Sequence, residues 1–327
     1  MLTRRAALGT ALGTALGATA PNFPLGLPRP ALAQSRTKLR FAGGGIALYG
    51  YMPFFVALGQ NLFPKHGIEP EVAQFPGGAR AMQALLGGSA DVVCGYYEHT
   101  IQMAAKGAKL QAFVLQAQNS GLVLGVRKAV ADGVKTAADL KGRKIGVSAP
   151  GSATHLFVMQ LLAKAGLKPT DVAAIGVGTT QTALSAFQRG EIDGLSTFDP
   201  IMSELERTGG VSILADARDS AGTRAIFGGP YASGCLYADA GWIAKNEAAT
   251  RGTAQAILEA LTFLKQASPE QAIGALSAGM CAVGQEVCTA AFTRNREAFL
   301  HGGAVTPEIA SAAIDPAATY TDRFVRG

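Results

Sequence analysis

The sequence predicts an α/β protein built as two lobes, each a mostly parallel sheet flanked by helices, with a ligand cleft between the lobes. Three observations carry that expectation. First, 327 residues amount to about two domains of ordinary size. Second, the chain repeats itself: residues 78–91 recur as residues 180–193, and Ala81, Ala84, Gly88 and Asp91 reappear as Ala183, Ala186, Gly190 and Asp193 at a constant offset of 102. Third, short apolar strands alternate with helical patterns in both halves, which implies βαβ units. Composition agrees. With 48% hydrophobic and 16% charged residues the chain is too apolar to be disordered. Its 41 glycines follow no G-x-y period, which excludes collagen.

The elements follow in order. Residues 38–41 form a strand that ends at Gly43-Gly44-Gly45. Residues 53–66 form a helix with Phe54, Phe55, Leu58 and Leu62 on one stripe and Gly67 as its stop. A strand over 68–75, a helix over 79–86, a buried strand over 91–94 and a helix over 100–106 complete the first half. The second half repeats the series: strand 144–147, helix 153–165, strand 172–177, helix 181–188, strand 192–196, helix 200–207. The segment Gly67-Ile-Glu-Pro-Glu-Val72 recurs loosely as Gly166-Leu-Lys-Pro-Thr-Asp-Val172, at an offset slipped to 99–100 by a small insertion.

Residues 1–33 read as an address. Arg4 and Arg5 precede an uncharged stretch from Ala6 to Ala20, and Ala31-Leu32-Ala33 offers a small-x-small cleavage site. The apolar run is too short to span a membrane. The pair Arg4-Arg5 resembles a twin-arginine signal, with Ala7 where Phe is usual and Gly9 where Lys is usual, so both the twin-arginine and the general route stay open. Removing residues 1–33 takes away three arginines and leaves 26 basic against 23 acidic residues, a net charge of +3 in place of +6. With no basic run and no interleaved aromatics, nucleic acid is not an expected partner. The four cysteines, Cys94, Cys235, Cys281 and Cys288, show no metal-ligand spacing, so no metal and no cofactor is expected. Cys94 reads as a buried small hydrophobe, and a Cys281–Cys288 disulfide is left open.

Ligands of open α/β sheets bind beyond the carboxyl ends of the strands, where helix N-termini favour an anion. The sequence places small, polar or aromatic residues at those positions: Gly44, Gly45 and Tyr49 after the first strand, Gly78 after the second, and Tyr96, Tyr97 and Glu98 after the third. In the second half Ser152, Thr154 and His155 follow the first strand, Thr180 the second and Asp199 the third. Capping the helix is the commoner role for any single one of these hydroxyls. Arg80 and Arg224 are possible anion partners, though lone arginines are usually solvated.

Residues 38–209 resemble the periplasmic substrate-binding proteins of ABC importers, in the nitrate/sulfonate/taurine group related to thiamine-precursor binders. The resemblance rests on the helix leading to Gly67-Ile-Glu-Pro-Glu-Val72, on Gly87-Gly-Ser-Ala-Asp91, on Asp139-Leu-Lys-Gly-Arg-Lys-Ile-Gly-Val147 and on Arg189-Gly-Glu-Ile-Asp193. It implies a type II two-lobe fold with residues 34–124 and 228–327 in lobe I and 125–227 in lobe II. The crossings would run over 121–128 and 227–238, adding Tyr231 to the candidate contacts, and the tail from Asn246 would return to the first lobe. It further implies a periplasmic monomer that captures a small organic anion of sulfonate, taurine or nitrate type. The partner would be an ABC permease in the inner membrane. A pyrimidine, thiamine precursor or aromatic acid is the alternative ligand, because Glu98 and Asp199 suit an amine or ring N–H and the aromatics suit a ring. An enzyme on the same fold is the alternative of another class. Glu98, His99 and His155 are its only candidate acid–base groups, and none has a triad or metal spacing.

Overall fold

In the computed structural model the described residues are 36–45, 48–277 and 280–304. The export segment read in residues 1–33 lies outside them. The strands are β1 (Thr37–Gly43), β2 (Ile68–Gln74), β3 (Val92–Tyr96), β4 (Leu110–Leu115), β5 (Val123–Arg127), β6 (Lys144–Val147), β7 (Ala173–Gly176), β8 (Gly194–Thr197), β9 (Val211–Asp216) and β10 (Gly234–Asp239). They form two five-stranded sheets, ordered β2-β1-β3-β10-β4 and β7-β6-β8-β5-β9. Each sheet has parallel pairs around its first strand and one antiparallel member, β10 in the first and β5 in the second. The two orders correspond strand for strand, so the repeat seen in sequence is a repeat of whole lobes.

Its physical basis is visible at the two aspartates. The Asp91 carboxylate accepts from the Arg40 backbone N–H at 2.9 Å, and the Asp91 N–H donates to the Arg40 carbonyl at 2.8 Å. Asp193 does the same with Lys144, at 2.9 and 2.7 Å. Each aspartate therefore ties the start of the third strand to the first strand of its own sheet. Gly88 and Gly190 stand three residues before, at φ 74° and 77°, a left-handed conformation that glycine adopts without a Cβ penalty. The recurring Gly-x-x-Asp thus builds lobes.

The helices are α1 (Met52–Gly59), α2 (Leu62–Lys65), α3 (Gly78–Leu86), α4 (Glu98–Ala104), α5 (Ala153–Lys164), α6 (Gln181–Gln188), α7 (Ile201–Arg207), α8 (Ser220–Phe227), α9 (Ala240–Lys245), α10 (Glu247–Gln266), α11 (Pro269–Gly274) and α12 (Gln285–Asn295). Two expectations need correction. The helix expected over 53–66 is broken into α1 and α2 at Asn61, whose φ of 55° is left-handed, a conformation asparagine tolerates better than most residues. The break turns Phe63 under the sheet, 5.5 Å from Phe41 and 5.4 Å from Phe54 between ring centroids. The helix expected from residue 100 starts at Glu98, which puts Glu98 and His99 inside its first turn rather than in a loop.

The chain passes from β4 in the first sheet to β5 in the second through residues 116–122. It returns from β9 through α8 and residues 228–233 to β10. Beyond β10, α10 packs along α1 and α2 on the first sheet. The pair Cys281–Cys288 is joined in a disulfide with Cα atoms 6.0 Å apart, while Cys94 and Cys235 are buried free thiols.

Candidate ligand cleft

A small cavity of about 10 Å³ lies where the two lobes and both crossings meet. Glu98 lines it from the first turn of α4. Ala153, Leu156 and Phe157 line it from α5, where the i, i+3, i+4 spacing sets them on one face. Leu122 comes from the first crossing, and Phe227 and Tyr231 from the second. Phe227 stacks on Tyr231 with centroids 4.1 Å apart, and Phe157 stands 6.0 Å from Phe227.

Glu98 is buried, at 1% exposure, and is the only carboxylate among the lining residues. Its Oε2 accepts from the Tyr231 hydroxyl at 2.9 Å, while its Oε1 has no hydrogen-bond partner among the described residues. Burial pushes the carboxyl up to about 7, against the pull of the Tyr231 hydrogen bond. Next to it His99 is also buried. Its Nδ1 lies 3.3 Å from the Tyr237 hydroxyl, and burial pulls the imidazole down to about 4, so it is neutral near pH 7.

The loops at the strand ends meet beside this cavity. The N-terminus of α3 faces that of α5, and the Ala79 backbone N–H donates to Ser152 Oγ at 3.0 Å across the lobes. Gly78 fits there only as glycine, because a Cβ would stand 2.4 Å from His99 Cε1. Thr154 Oγ1 accepts from the Ser148 backbone N–H at 2.9 Å and bonds the Ser148 hydroxyl at 2.8 Å, which closes the α5 entry loop on itself. Two positive helix ends thus converge on one interlobe point, an arrangement that favours an anion.

The other expected residues divide by their partners. Gly44 and Gly45 are buried at the end of β1, and Gly45 lies against Thr179 from the second lobe. Tyr49 donates to the Cys288 carbonyl and Tyr96 to the Ser120 carbonyl, so both hydroxyls serve the frame. Tyr96 also reaches across to Phe198, with centroids 5.3 Å apart. Tyr97 is half-buried beside the cleft. His155 accepts from the Gly151 backbone N–H at 3.0 Å and is held below its usual range by burial. Asp199 is buried among protein partners: its Oδ1 accepts from the Ser203 N–H and hydroxyl, and its Oδ2 accepts from Asn295 at 2.7 Å with Arg218 at 3.5 Å. Thr180 is exposed, whereas its neighbour Thr179 is buried. Arg80 and Arg224 are both exposed.

Sequence reasoning missed Leu122, Leu156, Phe157 and Phe227. Once Ser152 is set at the start of α5, its helical period finds Leu156 and Phe157. Leu122 and Phe227 sit in crossings and carry no local signal.

The profile of the NMT1-like family matches residues 35–278. A curated relative from Escherichia coli (strain K12), provisionally named an aliphatic sulfonates-binding protein, is 30% identical over 244 residues, covering 71% of this chain and 69% of its own. A solved structure from Bordetella bronchiseptica RB50 is 38% identical, with a TM-score of 0.84 over 87% of this chain and 89% of its own. The crystal structure of the periplasmic aliphatic sulphonate binding protein SsuA from Escherichia coli is 25% identical, with a TM-score of 0.66 over 89% of this chain and 94% of its own. The two-lobe fold is that of the periplasmic binding proteins.

Proposed function

The chain belongs to the NMT1-like family, and from that premise we propose that it is the extracytoplasmic solute-binding component of an ABC importer. It takes a small organic solute, with an anionic group of sulfonate type, into the interlobe cleft and delivers it to a membrane permease. The observation that carries this reading is the cavity itself, lined from both lobes and both crossings, so that lobe closure and ligand enclosure are one event. The anionic group would rest at the facing N-termini of α3 and α5, near Gly78 and Ser152, where Ala79 and Ser152 now bond each other. Export through the segment at residues 1–33 would deliver the mature chain to the periplasm, and N-terminal sequencing would then begin at Gln34. Binding without chemistry is the reading for the cleft: Glu98 and His99 adjoin, but the His99 Nδ1 faces Tyr237 and not a nucleophile.

The test is thermal unfolding of the mature chain with and without a panel of sulfonates and small nitrogen compounds. A ligand present at about 100 times its Kd stabilises the fold by about 2.7 kcal/mol. Stabilisation with the compound recovered unchanged supports binding. Chemical conversion of the compound would make the protein an enzyme, and no stabilisation by any compound would refute a solute site.

A further inference from the structure

Among the described side chains that line the cavity, one buried polar atom is left without a partner, Glu98 Oε1, an acceptor when the carboxyl is ionised. Apart from Glu98 and Tyr231 the lining is hydrocarbon: Leu122, Ala153, Leu156, Phe157 and Phe227. The Tyr231 hydroxyl proton is directed at Glu98 Oε2, which leaves Glu98 Oε1 unpartnered among the described residues. Among the described residues no lysine or arginine lines the cavity, and the adjacent His99 is buried with its Nδ1 toward the Tyr237 hydroxyl. An anion placed against Glu98 would face a carboxyl group, and no side chain of the described lining residues carries an N–H donor. A buried acceptor without a donor is costly, and a ligand that supplies the donor removes that cost.

Resting on the reading of the cleft as a solute site, we propose that the ligand's buried end carries an N–H donor received by Glu98 Oε1. An apolar or aromatic body would lie among Phe157, Phe227 and Tyr231. A plain alkanesulfonate or nitrate is then not the cognate solute, because neither brings a donor to Glu98. The enclosed space is about 10 Å³, room for a single water, so a ligand's body is admitted only as the lobes part. Glu98 is the specificity-determining residue on this account: it selects compounds that present nitrogen over compounds that present only oxyanions.

The experiment is titration calorimetry on the mature chain and on its Glu98→Gln, Glu98→Asp and Ala153→Trp variants. The probes are benzylamine, cyclohexylamine, imidazole and 2-aminopyridine on one side, and ethanesulfonate, benzenesulfonate and nitrate on the other. The expected result is binding by at least one nitrogen probe, weakened at least tenfold by Glu98→Gln, partly restored by Glu98→Asp and abolished when Ala153→Trp obstructs the cleft. Nitrogen-probe binding that is unchanged in Glu98→Gln would overturn the inference. So would binding by an oxyanion probe alone, if Ala153→Trp abolished it, and that result would leave the solute-site reading intact. No binding by any probe would overturn both.

Discussion

Glu98→Gln removes a titratable group and almost nothing else, since glutamine has the same shape and still accepts from Tyr231. Burial raises the Glu98 carboxyl from 4.5 to about 7, with the Tyr231 hydrogen bond opposing. Between those two values the folded chain holds a proton that the unfolded chain has released. The associated penalty is absent below about pH 4.5, grows as pH rises and is complete above about pH 7. At about 1.36 kcal/mol per pKa unit it amounts to about 3 kcal/mol. His99 acts in the opposite direction. Its folded value of about 4 lies below 6.5, so stability is lost as pH falls through that window. In the wild type the two slopes cancel between about pH 6.5 and 4.5, where the folded state holds one proton at Glu98 and the unfolded state holds one at His99. Urea unfolding of the ligand-free protein at about pH 8, 6 and 4.5 reads the difference. Glu98→Gln should gain about 3 kcal/mol on the wild type at the highest pH and close to nothing at the lowest. The variant alone should also lose stability steadily below about pH 6.5. A gap between the two proteins that stays constant across pH would refute the burial argument.

Other outcomes follow from the frame around the cleft. Asp91→Ala and Asp193→Ala should each cost about 1.5–3 kcal/mol in urea unfolding, because each breaks a charge-assisted bond between strands, and neither should change ligand affinity. Asp199→Ala should cost about 3–5 kcal/mol by the same assay, since it leaves the nearly buried Arg218 short of a partner and strips Ser203 and Asn295 of theirs. Reducing the Cys281–Cys288 disulfide, which closes a separation of seven residues, should lower stability by about 2 kcal/mol, measured with and without dithiothreitol.

The lobes were readable in advance because their signals are periodic. Ala183, Ala186, Gly190 and Asp193 echo the first lobe, and the structure explains the echo by the Asp-to-strand tie and the left-handed glycine. The strands β4, β5, β9 and β10 carry no such signal: they lie outside the repeated motif and pair only with strands far off in sequence, β10 with β3 and β4 and β5 with β8 and β9. At the cleft, the glycines and hydroxyls of the strand-end loops were legible from local chemistry, and so was Glu98. How each acidic side chain is used was not. Asp199 and Glu98 occupy equivalent places after β8 and β3, yet Asp199 is taken up by Ser203, Asn295 and Arg218 while Glu98 keeps one open oxygen. Asn295 and Arg218 come from α12 and from the turn after β9, so nothing near Asp199 announces them. The same holds one residue apart at Thr179 and Thr180, where the pitch of a loop decides which hydroxyl is buried.

The central claim is that the cavity between the lobes is the solute site. Calorimetric titration of the wild type and of Ala153→Trp, with the folded state of the variant checked by its melting transition, tests it most directly. One bound solute per chain in the wild type and none in a folded Ala153→Trp variant is the predicted result. Equal binding by the two proteins would place the solute elsewhere and contradict the account.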